Sequence, residues 1–131
     1  MSDETGLKPI ELAYAAGYLD GEGSFRFNNG SANVRIGNTY LDTLEWFQEK
    51  FGGSVRQKKR VKSHWRQAYV WGLNGSKACK MITQVYPYLQ EKRPQAILLL
   101  EVYAYPPRSE MRKTLIERIA ALKHLESKWT H

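Results

Sequence analysis

The sequence has one cysteine, Cys79, only three histidines and no long apolar run, and each shortage removes a class of function. One thiol cannot form an internal disulfide, and a cysteine-based zinc site needs several thiolates. Cys79 lies in a helical stretch beside Ala78 and Met81 and is expected to act as a small buried hydrophobe. A membrane-spanning helix takes about 20 consecutive apolar residues, and no segment approaches that. The first residues, Met1 to Gly6, are acidic and polar, which is wrong for a signal peptide, so an intracellular, reducing location is expected. His64, His124 and His131 fall in a hairpin tip and near the C-terminus, which argues against a histidine-metal nuclease site.

Acidic residues are missing from one region. Phe51 to Gln90 holds eight Lys or Arg and no Asp or Glu, while the rest of the chain carries 12 basic and 13 acidic residues. The whole excess of +7 therefore sits in one block of 40 residues. Basic charge concentrated in this way points to a polyanion, most often nucleic acid. An anionic membrane surface usually calls for an amphipathic basic helix, whereas the densest part of this block has the pattern of strands. No membrane partner and no small-molecule substrate are expected.

With 131 residues, a single domain over 1–131 is expected, long enough to bury a core without disulfide or metal. A first helix covers Pro9 to Asp20, with proline at a favourable first position. Ala13, Gly17 and Gly21 recur every four residues and line one face. Ser24 to Asn28 alternates apolar and polar residues, Asn29-Gly30 is a hairpin turn signal, and Ala32 to Asn38 returns. Tyr40, Leu44, Phe47 and Phe51 then repeat at helical spacing until Gly52-Gly53 stops them. A second hairpin pairs Val55–Lys59 with Trp65–Leu73 through a basic tip at Arg60–His64. Ser76 is expected to cap a helix from Lys77 to about Tyr86, Pro94 to begin another over Gln95–Ala104, and Pro106-Pro107 to break it. A last amphipathic helix runs from about Ser109 to Lys128 on Leu115, Ile119, Leu122 and Leu125.

This order predicts an α+β fold, with an α-β-β-α-β-β-α core, a curved four-stranded antiparallel sheet, helices on one face and an extra C-terminal helix. The opposite face would carry Ser24, Arg26, Asn28, Asn33, Arg35, Arg56, Lys58 and Arg66, a polar and basic surface suited to the DNA major groove. Arginine to guanine and asparagine to adenine are the expected base contacts; Lys58, Lys59, Arg60 and Lys62 would touch phosphates.

Asp20-Gly21-Glu22-Gly23 is the segment richest in chemistry. Carboxylates at a helix C-terminus face the negative end of the helix dipole, which costs a few tenths to about 1 kcal/mol, and a divalent cation would offset that. An ordinary acidic turn is the bland reading. An EF-hand fails, because its sixth and twelfth positions hold Phe25 and Ser31 in place of Gly and Glu. Paired-carboxylate glycosidase chemistry leaves the basic sheet unexplained.

Ala15 to Gly23 resembles, in register, the nine-residue signature of the LAGLIDADG homing endonucleases: Gly17, Asp20 and Gly23 are identical, Leu19 is close and Glu22 replaces an acid with an acid. Asn38 to Leu44, Phe51-Gly52-Gly53 and Glu91 to Ala96 are similar to the family as well, so the likeness covers roughly Ile10 to Ala104. Tyr18 departs from the leucine usual in the motif. The resemblance implies site-specific cleavage of double-stranded DNA at a long, partly palindromic site by Mg²⁺-assisted phosphodiester hydrolysis, with Mn²⁺ or Ca²⁺ able to occupy the same site. Because the chain has one motif, the resemblance implies a homodimer through the first helix, with Ala13, Ala16, Gly17 and Asp20 at the interface. It implies Glu22 as the metal-binding acid, the Gly21 carbonyl as a further ligand, Asp20 in an interface or supporting role, Asn38 near metal-bound water and Lys92 assisting the transition state. Proteins of this fold also include RNA maturases and non-cleaving DNA-binding regulators. A basic interaction module unrelated to the family is a third possibility, which monomeric behaviour would favour.

Overall fold

The computed structural model describes residues 6–59, 62, 64 and 66–129, with side chains through Leu122. Its elements are α1 (Pro9–Glu22), β1 (Gly23–Asn28), β2 (Ser31–Asn38), α2 (Leu41–Phe51), β3 (Ser54–Gln57), β4 (Tyr69–Asn74), α3 (Gly75–Val85), a 3₁₀ turn at Tyr86–Tyr88, α4 (Arg93–Val102) and α5 (Glu110–Trp129). The fold is α+β, as expected. The four strands form one antiparallel sheet in the order β1-β2-β4-β3.

Local chemistry sets the element boundaries. Pro9 opens α1, and the Glu11 carboxylate returns to accept the Lys8 N–H at 2.9 Å, satisfying a donor that the helix leaves unpaired. At the other end there is no loop at all: α1 ends at Glu22 and β1 begins at Gly23. The acidic segment is thus the last turn of the helix, where a separate turn was expected after Asp20. Gly23 permits this, since a Cβ there would lie 2.6 Å from Leu19 Cδ2 and 2.9 Å from the Leu19 carbonyl oxygen. Asn29 and Gly30 take φ of 52° and 80°, the doubly positive geometry of the tight hairpin turn.

Three expected boundaries moved. Tyr40 does not share the buried stripe of Leu44 and Phe47; it precedes α2 and is 60% exposed. Ser76 does not cap α3, because Gly75, at φ 63°, already begins the helix directly from β4. The arms of the second hairpin are also shorter than expected. The Lys58 N–H still bonds the Ala68 carbonyl at 2.8 Å, and Gln67 Nε2 donates to both the Lys58 and Ala68 carbonyls. Arg66 therefore lies in the connection before β4 rather than on a strand.

The core lies between the inward sheet face and the helices. Phe25, Val34, Ile36, Trp71 and Leu73 meet Leu12, Ala15, Ala16 and Leu19 of α1, Leu44 and Phe47 of α2, and the apolar side of α3. Phe47 is packed by the rings of Tyr18, Trp46, Phe51 and Trp71. Gly53 is needed where α2 turns into β3: its φ is 89°, and a Cβ would lie 2.4 Å from the Gly72 carbonyl oxygen. α5 packs chiefly along α4, burying Leu115 and Ile119 as the stripe predicted; Leu125 lies outside the described side chains. An unforeseen anchor fixes its first turn. Arg112, 8% exposed, donates from Nε to the Val102 carbonyl at 3.1 Å and lies over the rings of Phe27 and Tyr103. Cys79 is half-buried beside Tyr103, and burial pushes its thiol above the usual range, which keeps it protonated.

Candidate nucleic-acid interface and acidic helix end

The pairing register defines the outward sheet face. Ser24, Arg26 and Asn28 of β1 lie opposite Arg35, Asn33 and Ser31 of β2, and Asn33, Arg35 and Gly37 in turn lie opposite Asn74, Gly72 and Val70 of β4. Ser54 and Arg56 of β3 pair with Gly72 and Val70. Arg26, Asn28, Arg35 and Arg56 are exposed on this face and Ser24 is half-buried, as the alternation predicted. Asn33 departs from expectation. It is 7% exposed, and its Nδ2 donates to the Ser31 carbonyl at 3.1 Å, so it presents little of its amide outward. Lys58, Lys62 and Arg66 are exposed around the second hairpin, while Arg60 lies outside the described residues.

A trough crosses the face between Asn33, Arg35, Ser54, Arg56, Asn74 and Lys77. Three of these were not anticipated. Ser54 and Asn74 share the parity of Arg56 and Val70, so strand alternation could have found them. Lys77 comes from the first turn of α3 and reaches the rim only because β4 runs into that helix without a loop, which no local pattern announces.

The other candidate site is the end of α1. Glu22 and Gly21 are exposed there. Asp20 does not point to a partner surface. Its Oδ2 accepts the Gln90 N–H at 2.8 Å and its Oδ1 the Lys92 N–H at 3.0 Å, so it ties the approach to α4 onto α1. Lys92 is 5% exposed, not a solvated lysine, and its Nζ donates to the Asp20 carbonyl at 2.7 Å. A cation at this helix terminus is favourably placed in the dipole. Asn38, two residues past the Gly23 partner Ile36, also has structural work. Its Oδ1 accepts the N–H groups of Thr39 and Tyr40 at 2.7 and 3.2 Å, and its Nδ2 donates to the Tyr18 hydroxyl. The departure from the motif at Tyr18 thus adds a hydrogen bond as well as packing. Asp20, Gly21, Glu22, Lys92 and, through Tyr18, Asn38 converge on one end of the helix.

The small-residue face of α1 divides. Ala13, Gly17 and Gly21 are exposed, but Ala16 is fully buried inside the protomer and cannot belong to a contact surface. Ile10 and Tyr14, 76% and 50% exposed, extend the same side.

No protein-family model matches this chain, and no curated protein matches it. Solved structures do. The homing endonuclease I-CvuI in complex with an I-CreI target, in the presence of 2 mM Mg with the DNA not cleaved, superposes with a TM-score of 0.70 at 21% identity, covering 86% of this chain and 82% of that one. The archaeal intron-encoded homing endonuclease I-Vdi141I complexed with DNA gives 0.67 at 15% identity over 86% and 84%. The chain has the LAGLIDADG homing-endonuclease fold. A variant of I-SmaMI shares this fold with a TM-score of 0.57 at 23% identity, covering 86% of this chain but 43% of its own. Among the described residues, no helix is long and apolar enough to cross a membrane.

Proposed function

We propose that the protein is a site-specific, divalent-metal-dependent endonuclease of double-stranded DNA that works as a homodimer through α1. The observation that carries this reading is the end of α1, where an exposed carboxylate, Glu22, stands at the edge of a basic sheet face and beside a helix surface of small residues that is exposed among the described residues.

The donor set fits a hard cation. Glu22 offers carboxylate oxygens and Gly21 a helix-terminal carbonyl that has no intrahelical partner. Among the described residues no group of three or more His, Cys, Asp or Glu side chains gathers in one protomer, and Mg²⁺ commonly takes one or two carboxylates together with phosphate oxygens and water. A twofold contact through Ala13, Gly17 and Gly21 would bring two copies of Glu22 together. The glycines support this contact, because a Cβ at Gly17 or Gly21 would meet nothing within 4 Å among the described residues. Matching less than half of I-SmaMI, a single copy of this fold corresponds to half of that longer chain.

Mg²⁺ bound there, or Mn²⁺ in its place, would lower the pKa of a water and stabilise charge on the reacting phosphodiester oxygens. The protein's own contribution is placement. Asp20 fixes the 90–92 segment, and the buried Lys92 ammonium, held by the Asp20 carbonyl at the helix end, would add positive charge close to the scissile phosphate. Arg26, Arg35 and Arg56 read base edges, and Lys58, Lys59 and Lys62 bind backbone phosphates.

The test is Glu22→Gln, assayed on duplexes selected from a randomised pool. Cleavage in Mg²⁺ should disappear while binding in Ca²⁺ persists. Undiminished cutting by that variant would refute the site. A wild-type protein that binds one sequence in Mg²⁺ without cutting would be a DNA-binding regulator, and one that enriches no duplex would direct attention to RNA.

A further inference from the structure

We propose that Val70 reads a thymine through its methyl group. This rests on the DNA-binding reading of the outward sheet face and deepens it, assigning one base contact to a residue of unexpected chemistry. Every other outward position of the four strands is glycine or carries a polar or charged side chain. Val70 alone is aliphatic there, and it is only half-buried.

Its surroundings do not explain the choice. Val70 points away from the core that its strand neighbours Tyr69 and Trp71 face, so it adds nothing to the packing of the helices. Strand preference favours a β-branched residue, but threonine would satisfy that preference and keep the face polar. Directly across β2 stands Gly37, exposed and without a side chain, and directly across β3 stands Arg56. The next outward residue of β4 is Gly72, where a Cβ would come within 3.3 Å of Arg35 Cγ, so the Arg35 stem runs over it. Val70 therefore lines the trough next to Arg56, with Gly37 leaving space on its other side and the Arg35 stem lying diagonally across over Gly72.

In the major groove the thymine C5-methyl is the one apolar group among the donors and acceptors of the base edges. An aliphatic side chain with arginines at neighbouring outward positions complements a thymine next to guanine. It also disfavours bases that present an amino donor at that place, because that donor would lose its water without gaining an acceptor.

Deoxyuridine differs from thymidine in that methyl group alone, which makes a direct experiment possible. The full chain is used to select duplexes from a randomised pool in Ca²⁺, and each thymine of a recovered half-site is then replaced singly by deoxyuridine. For the wild-type protein, one position per half-site should bind about three- to tenfold more weakly once the methyl group is gone. For V70A that penalty should vanish, with the effect of other substitutions unchanged; V70S serves the same comparison if V70A does not fold. If no thymine is sensitive, or if the sensitivity survives in the variant, the assignment is wrong although the face still binds DNA. If no duplex is recovered at all, the DNA-binding reading falls and this proposal with it.

Discussion

Single residues at the end of α1 do more than their motif positions imply. Asp20 spends both carboxylate oxygens on main-chain N–H groups of a segment 70 residues away. Removing it strands the part-buried Lys92 N–H, while the exposed Gln90 N–H can turn to water, and leaving such a donor unsatisfied costs about 1–3 kcal/mol. Asp20→Ala should therefore lower stability by about that amount in urea unfolding, and Asp20→Asn, which keeps one acceptor oxygen, should recover part of it. Equal losses for the two variants would show that charge, not hydrogen bonding, is what matters. Gly23 is the second such residue. Gly23→Ala should cost about 1–3 kcal/mol, because the Leu19 carbonyl facing the new methyl is helix backbone and cannot swing aside. Neither effect was legible in the sequence. The motif marked Asp20 and Gly23 as special, but Asp20 acts on residues that only the folded chain brings near.

Elements were legible where local chemistry decides them. Asn29-Gly30 announced its turn, Gly52-Gly53 its helix stop, and Pro9 its helix start. Ends decided by tertiary contact were not. α3 begins two residues earlier than its serine suggested because Gly75 accepts a positive φ, and the anchoring of α5 by Arg112 against Phe27, Tyr103 and Val102 has no signature in a 20-residue amphipathic pattern. The start of α1 supports a prediction at this scale. The Lys8 N–H, and after it the Lys50 ammonium at 2.9 Å, hold the Glu11 carboxyl below its ordinary value of 4.5. A lowered folded-state value means stabilisation that is present above about pH 4.5 and lost as pH falls through the lower folded value. Melting temperatures of wild type and Glu11→Gln should therefore differ slightly at neutral pH and converge in acid, and the difference should shrink in high salt because the pair is solvent-exposed. A gap that widens toward acid would contradict that sign.

At the scale of the molecule, charge and shape are separated: the basic sheet face looks one way, the apolar core the other, and α1 carries an uncovered strip along its side. The first two were legible from charge counts and alternation. The third was legible only in part, since Ala16 shares the smallness of Ala13 and Gly17 but sits a quarter-turn away, inside the core. Its exposed members allow stability and assembly to be tested apart. Gly17→Leu places a side chain in open space within the protomer and replaces a poor helix former with a good one, a gain of up to about 1 kcal/mol in an exposed helix. If α1 meets its twin, the same side chain holds the two helices apart. The expected outcome is a protein that sediments as a monomer, keeps a melting temperature independent of concentration, and loses cleavage at every site, while wild type is dimeric with a concentration-dependent melting temperature. Should Gly17→Leu remain dimeric and active, the contact lies elsewhere, and the pairing of two Glu22 carboxylates across α1 would have to be abandoned.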